Sequence, residues 1–85
     1  MNYNVIHNPH KNRFEVITGG LTGYVEYVPL DEGIDIVHTM VPPPLRGSGM
    51  AQALVEAAIQ YAHEHKLRII PSCSFASVYM QRRSG

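Results

Sequence analysis

Apolar positions in the first half of the chain come in short runs broken by turn formers. Asn4-Val5-Ile6-His7 is closed by Asn8-Pro9-His10-Lys11-Asn12, a cluster rich in residues that preset turn dihedrals or bond their own backbone. Phe14-Glu15-Val16-Ile17 stops at Gly19-Gly20. Leu21 to Val28 then carries Tyr24, Val25, Tyr27 and Val28, β-branched and aromatic side chains that suit a half-buried strand. Pro29 and Asp31-Glu32-Gly33 read as a turn. Ile34 to Val41 alternates at period two, which predicts Ile34, Ile36, His38 and Met40 on one face. Consecutive short strands with tight turns predict an antiparallel meander.

The second half changes period. After Pro42-Pro43-Pro44-Leu45-Arg46-Gly47, apolar residues fall at Met50, Ala53, Leu54, Ala57, Ala58, Tyr61 and Ala62. That is the stripe of an amphipathic helix, with Gln52, Glu56, Gln60 and His63 off the seam. The helix starts at Ser48 or Gly49 and fades at His65-Lys66. Leu67 to Pro71 fits one further strand, and Phe75 to Arg83 a closing helix of two turns. The order ββββ–α–β–α predicts an α+β fold: a four-stranded antiparallel meander, a long helix, a fifth strand and a short C-terminal helix, all in a single domain spanning residues 1–85.

Composition narrows the function classes. With 85 residues and 7 Lys+Arg against 7 Asp+Glu, the chain is small and neutral. A domain of this size buries only about 60–65 % of its unfolded surface, so its core is modest. Charge balance argues against a nucleic-acid partner whose affinity rests on neutralising phosphates. No apolar run approaches a membrane span, and Met1-Asn2-Tyr3-Asn4 has neither a basic nor an apolar targeting region. Cys73 is the one cysteine, so no internal disulfide forms and nothing points to a secreted mini-protein. The expected location is cytoplasmic.

Arg46-Gly47-Ser48-Gly49-Met50-Ala51 is the most informative stretch. A helix N-terminus presents unpaired backbone N–H groups and the positive end of the helix dipole. Helices often place acids there, yet Ser48 to Val55 contains none, and Glu56 is the first. Two glycines remove side chains where a bulky anion would touch backbone, and Arg46 adds a fixed positive charge. Together these features make a candidate phosphate or pyrophosphate site. The bland alternative, a tight turn into a helix, accounts for the glycines but not for the missing acids. Competing motifs fail on spacing. No Gly-Lys pair exists for a P-loop, and Gln52 stands where a dinucleotide fingerprint needs a third small residue. Leu45 breaks a PxxP reading of the proline run. His63 and His65, two apart on a helix, diverge by about 200° and do not form a metal pair, so no metal is expected.

These residues carry a resemblance. Arg46-Gly47-Ser48-Gly49-Met50-Ala51 resembles the R/Q-x-x-G-x-G/A pyrophosphate loop of the GCN5-related N-acetyltransferases. With His38-Thr39-x-Val41-Pro42 before it and Pro71-x-Cys73-x-Phe75 after it, the chain is similar to the miniature YjdJ-type subfamily over roughly residues 5–80. The resemblance implies acetyl-CoA as co-substrate. Met40 and Val41 then pair their backbone with the pantetheine amides, and the backbone from Arg46 through Gly47, Ser48, Gly49 and Met50 to Ala51 cradles the pyrophosphate.

Attack of an amine on a thioester needs a proton acceptor, oxyanion donors and optionally an acid for the thiolate. His38 is the candidate base, since imidazole titrates near neutrality. Its apolar neighbours also fit a histidine bonded inside the core, and Asp35 on the other face is the alternative. Tyr79 is the tyrosine placed for the acid, or else packs in the core. Cys73 reads as an acetyl acceptor, as a thiol beside the coenzyme sulfur, or as a small buried hydrophobe. Arg82-Arg83 reaches the coenzyme phosphates or forms a solvated tail.

Two N-terminal helices that usually wall the acceptor pocket in this family are missing, because strands fill residues 4–28. The acceptor side is therefore expected to be open. It suits a small-molecule, protein or peptide amine, or a pocket completed by a second subunit in a homodimer. The leading expectation is an N-acetyltransferase, and the alternative is a non-enzymatic acyl-CoA-binding module.

Overall fold

The computed structural model describes residues 3–84. Met1 and Asn2, part of the stretch read above for targeting signals, and Gly85 lie outside the described residues. Five strands form one sheet in the order β1-β2-β3-β4-β5. They are β1 (Ile6–Asn8), β2 (Arg13–Thr18), β3 (Leu21–Leu30), β4 (Gly33–Met40) and β5 (Arg68–Pro71). β1 to β4 are antiparallel neighbours, and β5 runs parallel to β4. The crossover between β4 and β5 is helix α1 (Met50–Glu64), and α2 (Ser74–Ser84) closes the described chain. The expected α+β architecture is the observed one.

β3 runs through Pro29 to Leu30 instead of turning at the proline. β2 pairs with β3 only as far as Glu26, so on that side no ladder partner waits for the N–H that proline lacks.

Both helices lie on one face of the sheet. Phe14, Val16, Val25, Tyr27, Ile34 and Ile36 pack beneath Met50, Leu54, Val55, Ala58 and Ala62 of α1, and Ala76 of α2 joins them. The buried stripe of α1 differs from the expected seam by including Val55 and by leaving Ala53, Ala57 and Tyr61 only partly buried. Leu54 is fully buried, and truncation to Ala at such a site costs about 2–5 kcal/mol. Gly23 on β3 lets α1 approach closely, since a Cβ there would collide with the sulfur of Met50.

The far face of the sheet carries no helix among the described residues. Ile6, Ile17, Val28 and Ile70 are exposed, as an antiparallel sheet with one wet face allows.

One irregularity decides the site. Along β3 and β4, Tyr27 faces Ile36 but the next residue, Glu26, faces His38. Val37 is therefore an extra residue in β4, a β-bulge that breaks the period-two alternation. Ile34 and Ile36 are buried under the helices, whereas His38 is exposed. His38 and Met40 pair with Glu26 and Tyr24 on the far face, and Thr39 pairs with Val25 on the helix face. The expectation that His38 and Met40 share a face with Ile34 and Ile36 is thereby corrected.

Candidate functional site

β4 outruns its parallel neighbour. The last paired residues are Ile36 and Pro71, and a hydrogen bond from the Cys73 N–H to the Ile36 carbonyl, 2.8 Å, is the final link. Beyond it β4 continues to Met40 with β3 as its partner, so its other backbone edge faces a gap. Val41 and the loop before α1 continue along the same side.

The loop is built by local rules. Pro43–Leu45 forms a single 3-10 turn, closed by Arg46 N–H to the Pro43 carbonyl at 3.2 Å. Gly47 and Gly49 have φ of 81° and 91°, the left-handed region that other residues enter at a cost of about 1–2 kcal/mol. A Cβ at either would meet nothing within 4 Å, so the glycines serve the backbone path and leave its surface open.

Gly49 caps α1 without a side-chain hydrogen bond, and no acid stands in the first turn. The first helical bond runs from Ala53 N–H to the Gly49 carbonyl, 3.0 Å. The N–H groups of Met50, Ala51 and Gln52 therefore precede the intrahelical ladder. Arg46 Nε donates to the Val41 carbonyl at 3.3 Å, which ties the guanidinium between the strand end and the helix start. Tyr3 donates its hydroxyl proton to Ser48 Oγ at 2.7 Å, an anchor that sequence reasoning did not anticipate.

A cavity of about 170 Å³ opens here. Val41, Arg46, Gly47, Gly49, Met50 and Ala51 of the expected binding set line it, joined by Leu45, Gln52 and Phe75. Met40 lies just before them on β4, and Ser48 sits in the loop bonded to Tyr3. A glycine cradle, free helix N–H groups, an adjacent arginine and no acid fit the pyrophosphate of a coenzyme A. Among the described residues there is no group of three or more His, Cys, Asp or Glu side chains that could hold a metal ion.

Cys73 stands at the inner end of the gap. Its carbonyl accepts the Ser77 N–H of α2 at 2.9 Å, and its Sγ lies 3.5 Å from Thr39 Oγ1. Burial pushes the thiol up, but the Thr39 hydroxyl and the backbone N–H groups of Ala76, Phe75 and Thr39 outweigh it, so its pKa falls below the ordinary value. Thr39 was missed because the alternation places it opposite the helices, and only the bulge turns it toward them.

The other candidates lie apart. His38 is on the far face, its ring 5.9 Å from that of Tyr24. Asp35 accepts the Ser72 N–H at 3.3 Å and so braces β4 against the turn after β5. Tyr79 is six residues beyond Cys73, about 9 Å along the helix axis, with its ring stacked on Phe75 at 6.2 Å. Its hydroxyl donates to Glu56 Oε1 at 2.8 Å, and Arg83 donates two further bonds of 2.8 Å to the same carboxylate. Arg83 beside Glu56 holds that carboxyl down at about 2 against partial burial, with Tyr79 and Gln60 assisting. Burial and the bond to Glu56 push the Tyr79 hydroxyl up. Glu56 read only as a residue off the helix seam and Arg83 as coenzyme contact or tail; together with Tyr79 they clamp α2 to α1.

The comparisons with known proteins agree with this fold. Residues 13–84 match the family described as GCN5-related N-acetyl-transferase. The chain is also similar to a solution structure of a "GCN5-like putative N-acetyltransferase" from Staphylococcus aureus. The two share 29% sequence identity and a TM-score of 0.75, over 98% of this chain and 82% of that one. On a family match spanning β2 to β5, the loop and both helices, the chain belongs to the GCN5-related N-acetyltransferases.

Proposed function

We propose that the protein transfers an acetyl group from acetyl-CoA to an amine. The observation that carries this reading is the meeting of an anion-ready loop and the unpaired edge of β4 at one gap, with a thiol at its inner end. The pyrophosphate lies on the backbone N–H groups around Gly47 to Gln52, with Arg46 beside it. The pantetheine arm follows the free edge of β4 past Val41 and Met40, against Phe75. The thioester then reaches Thr39 and Cys73. Backbone released from the ladder at the Val37 bulge supplies donors for the oxyanion.

His38 stands across β4 from the thiol, on the face that is open to an acceptor. An ammonium arriving there gives one proton to His38, and the neutral amine attacks the acetyl carbon. The C–N bond forms, the C–S bond breaks, and the sulfur leaves as thiolate. The second proton lost from nitrogen balances that charge through solvent. Cys73 flanks the sulfur. In this reading Tyr79 protonates the thiolate only by releasing Glu56, which makes its part in turnover smaller than its part in packing.

The test is direct. The protein is mixed with acetyl-CoA and a panel of amines, and free thiol is followed. Thiol release that depends on amine, and falls in His38→Ala, supports the transferase. A specific observation favours the second reading, a non-enzymatic acyl-CoA-binding module: the Tyr79 hydroxyl is already engaged as a donor to Glu56. Binding of acetyl-CoA without amine-dependent release would establish that reading instead.

A further inference from the structure

The uncovered face of the sheet is patterned in a way that the coenzyme site does not use. Across its middle the pairing places Arg13, Glu26 and His38 in one row on β2, β3 and β4, and Glu15, Tyr24 and Met40 in the next. Exposed apolar residues, Ile6, Ile17, Val28 and Ile70, surround these rows. A protein–protein interface has the opposite arrangement, an apolar centre with a polar rim. The polar centre instead fits a small polar ligand.

The charges there are unequally engaged. Arg13 lies with its guanidinium carbon 3.7 Å over the Tyr24 ring and pairs with Glu15 at 3.8 Å. Asn8 also donates to Glu15 at 3.4 Å, and Glu15 is almost fully buried beneath these partners. Glu26 is different. Half-buried between Arg13 and His38, its carboxylate has no ion pair or hydrogen bond among the described residues. With Arg13 matched by Glu15, one carboxylate charge is left over at the centre of the face. It stands directly across the strand pair from His38, where opposed side chains lie about 4.5–5.5 Å apart at Cβ.

We infer that Glu26 is the recognition group for a cationic primary amine, an alkylammonium such as a lysine side chain or a polyamine end. The ammonium docks between the Glu26 carboxylate and the His38 ring, beside Tyr24. Glu26 attracts the charged form from solvent, and His38, next in the row and next to the bulge, takes the proton that must leave before attack. The exposed apolar rim accommodates the alkyl chain. This inference rests on the transferase reading for its consequence, but the binding it describes does not depend on turnover.

The experiment uses the full chain saturated with coenzyme A, titrated with n-butylammonium chloride while backbone amides are followed by NMR. The amides of Tyr24, Glu26 and His38 are expected to shift together. Glu26→Gln, nearly isosteric, should weaken that binding about tenfold, the loss of one charge-assisted contact, and Glu26→Asp should restore part of it. In turnover with acetyl-CoA, Glu26→Gln should raise KM for n-butylamine about tenfold and leave KM for aniline, uncharged at neutral pH, within about twofold. Absence of shifts on this face in the wild type, or shifts that persist unchanged in Glu26→Gln, would overturn the inference. The two readings separate cleanly. Shifts at Glu26 without any acetyl transfer uphold the docking site and refute the transferase. Acetylated butylamine with no shifts and an unchanged KM refutes the docking site and leaves the transferase standing.

Discussion

Thr39 Oγ1 lies 3.5 Å from Cys73 Sγ, and the contact exists because one extra residue, Val37, turns β4 over between Ile36 and Thr39. The same half-turn sends His38 to the opposite face. One bulge therefore separates the two proposed functional sides of the strand: thiol and hydroxyl toward the helices, imidazole toward the open face.

Deleting Val37 should remove the bulge and keep that separation. With the extra residue gone, His38 follows Ile36 directly, so plain alternation still sends His38 to the far face and Thr39 to the helix face. Both the Tyr24–His38 ring contact and the Thr39–Cys73 contact should persist, and with no core side chain changing layer the stability cost should stay at about 1 kcal/mol or less. Denaturant unfolding measures the cost, and Tyr24–His38 proton contacts in NMR report the ring pair. A variant that loses both contacts would contradict the assignment of the bulge.

The Thr39 hydroxyl helps hold the Cys73 thiol below its usual pKa. Thr39→Val keeps the shape and removes the hydroxyl, so the thiol should titrate at higher pH and react more slowly near neutrality. The check is the rate of iodoacetamide alkylation as a function of pH. An unchanged profile would show that the backbone N–H groups of Phe75, Ala76 and residue 39 set the thiolate without the hydroxyl.

How much was legible in advance follows from which forces act locally. The glycine loop was readable because the missing acids, the two glycines and Arg46 are neighbours in sequence, and their consequence is a local helix start. Strands and helices were readable from period alone, to within a few residues at their ends. The face of His38 was not, because a bulge is set by how two strands pair and leaves no mark on the alternation. Glu56, Tyr79 and Arg83 escaped for a related reason. They sit on two helices, 27 residues apart at the extremes, and only the packing of α2 beside α1 brings their charges together. Pro29 was read with Asp31-Glu32-Gly33 as a turn, whereas β3 continues through it because on the β2 side no ladder partner waits for the N–H that proline lacks.

The clamp between the helices carries a pH signature. Arg83 holds Glu56 at about 2, below its ordinary 4.5, so the folded state favours the ionised carboxylate. That contribution is complete above about pH 4.5 and is lost as pH falls toward about 2. Glu56→Gln should lower stability at pH 7 and flatten its decline over this acid range. Thermal unfolding of both proteins from pH 7 to 2.5 measures it. Parallel declines would mean that other carboxylates govern acid unfolding.

Arg46 is expected to act on affinity rather than chemistry. Arg46→Met should weaken coenzyme A binding about tenfold, as one arginine–phosphate contact is removed, and should reduce the salt dependence of binding. Calorimetric titration at two ionic strengths distinguishes this from a structural effect. Equal affinity in the variant would remove Arg46 from the phosphate site.

The most direct measurement for the account as a whole is backbone hydrogen exchange with and without acetyl-CoA. Slowed exchange should be confined to two stretches: Gly47 to Gln52, where N–H groups meet the pyrophosphate, and Val37 to Val41, where the free edge of β4 meets the pantetheine arm. Gly49→Glu, which sets an acid on the helix N-terminus, should abolish that protection. It should also abolish the stabilisation of about 2.7 kcal/mol that a ligand confers at 100 times its Kd. Saturation with acetyl-CoA that leaves both stretches exchanging as before, or protection elsewhere that survives Gly49→Glu, would contradict the proposed site.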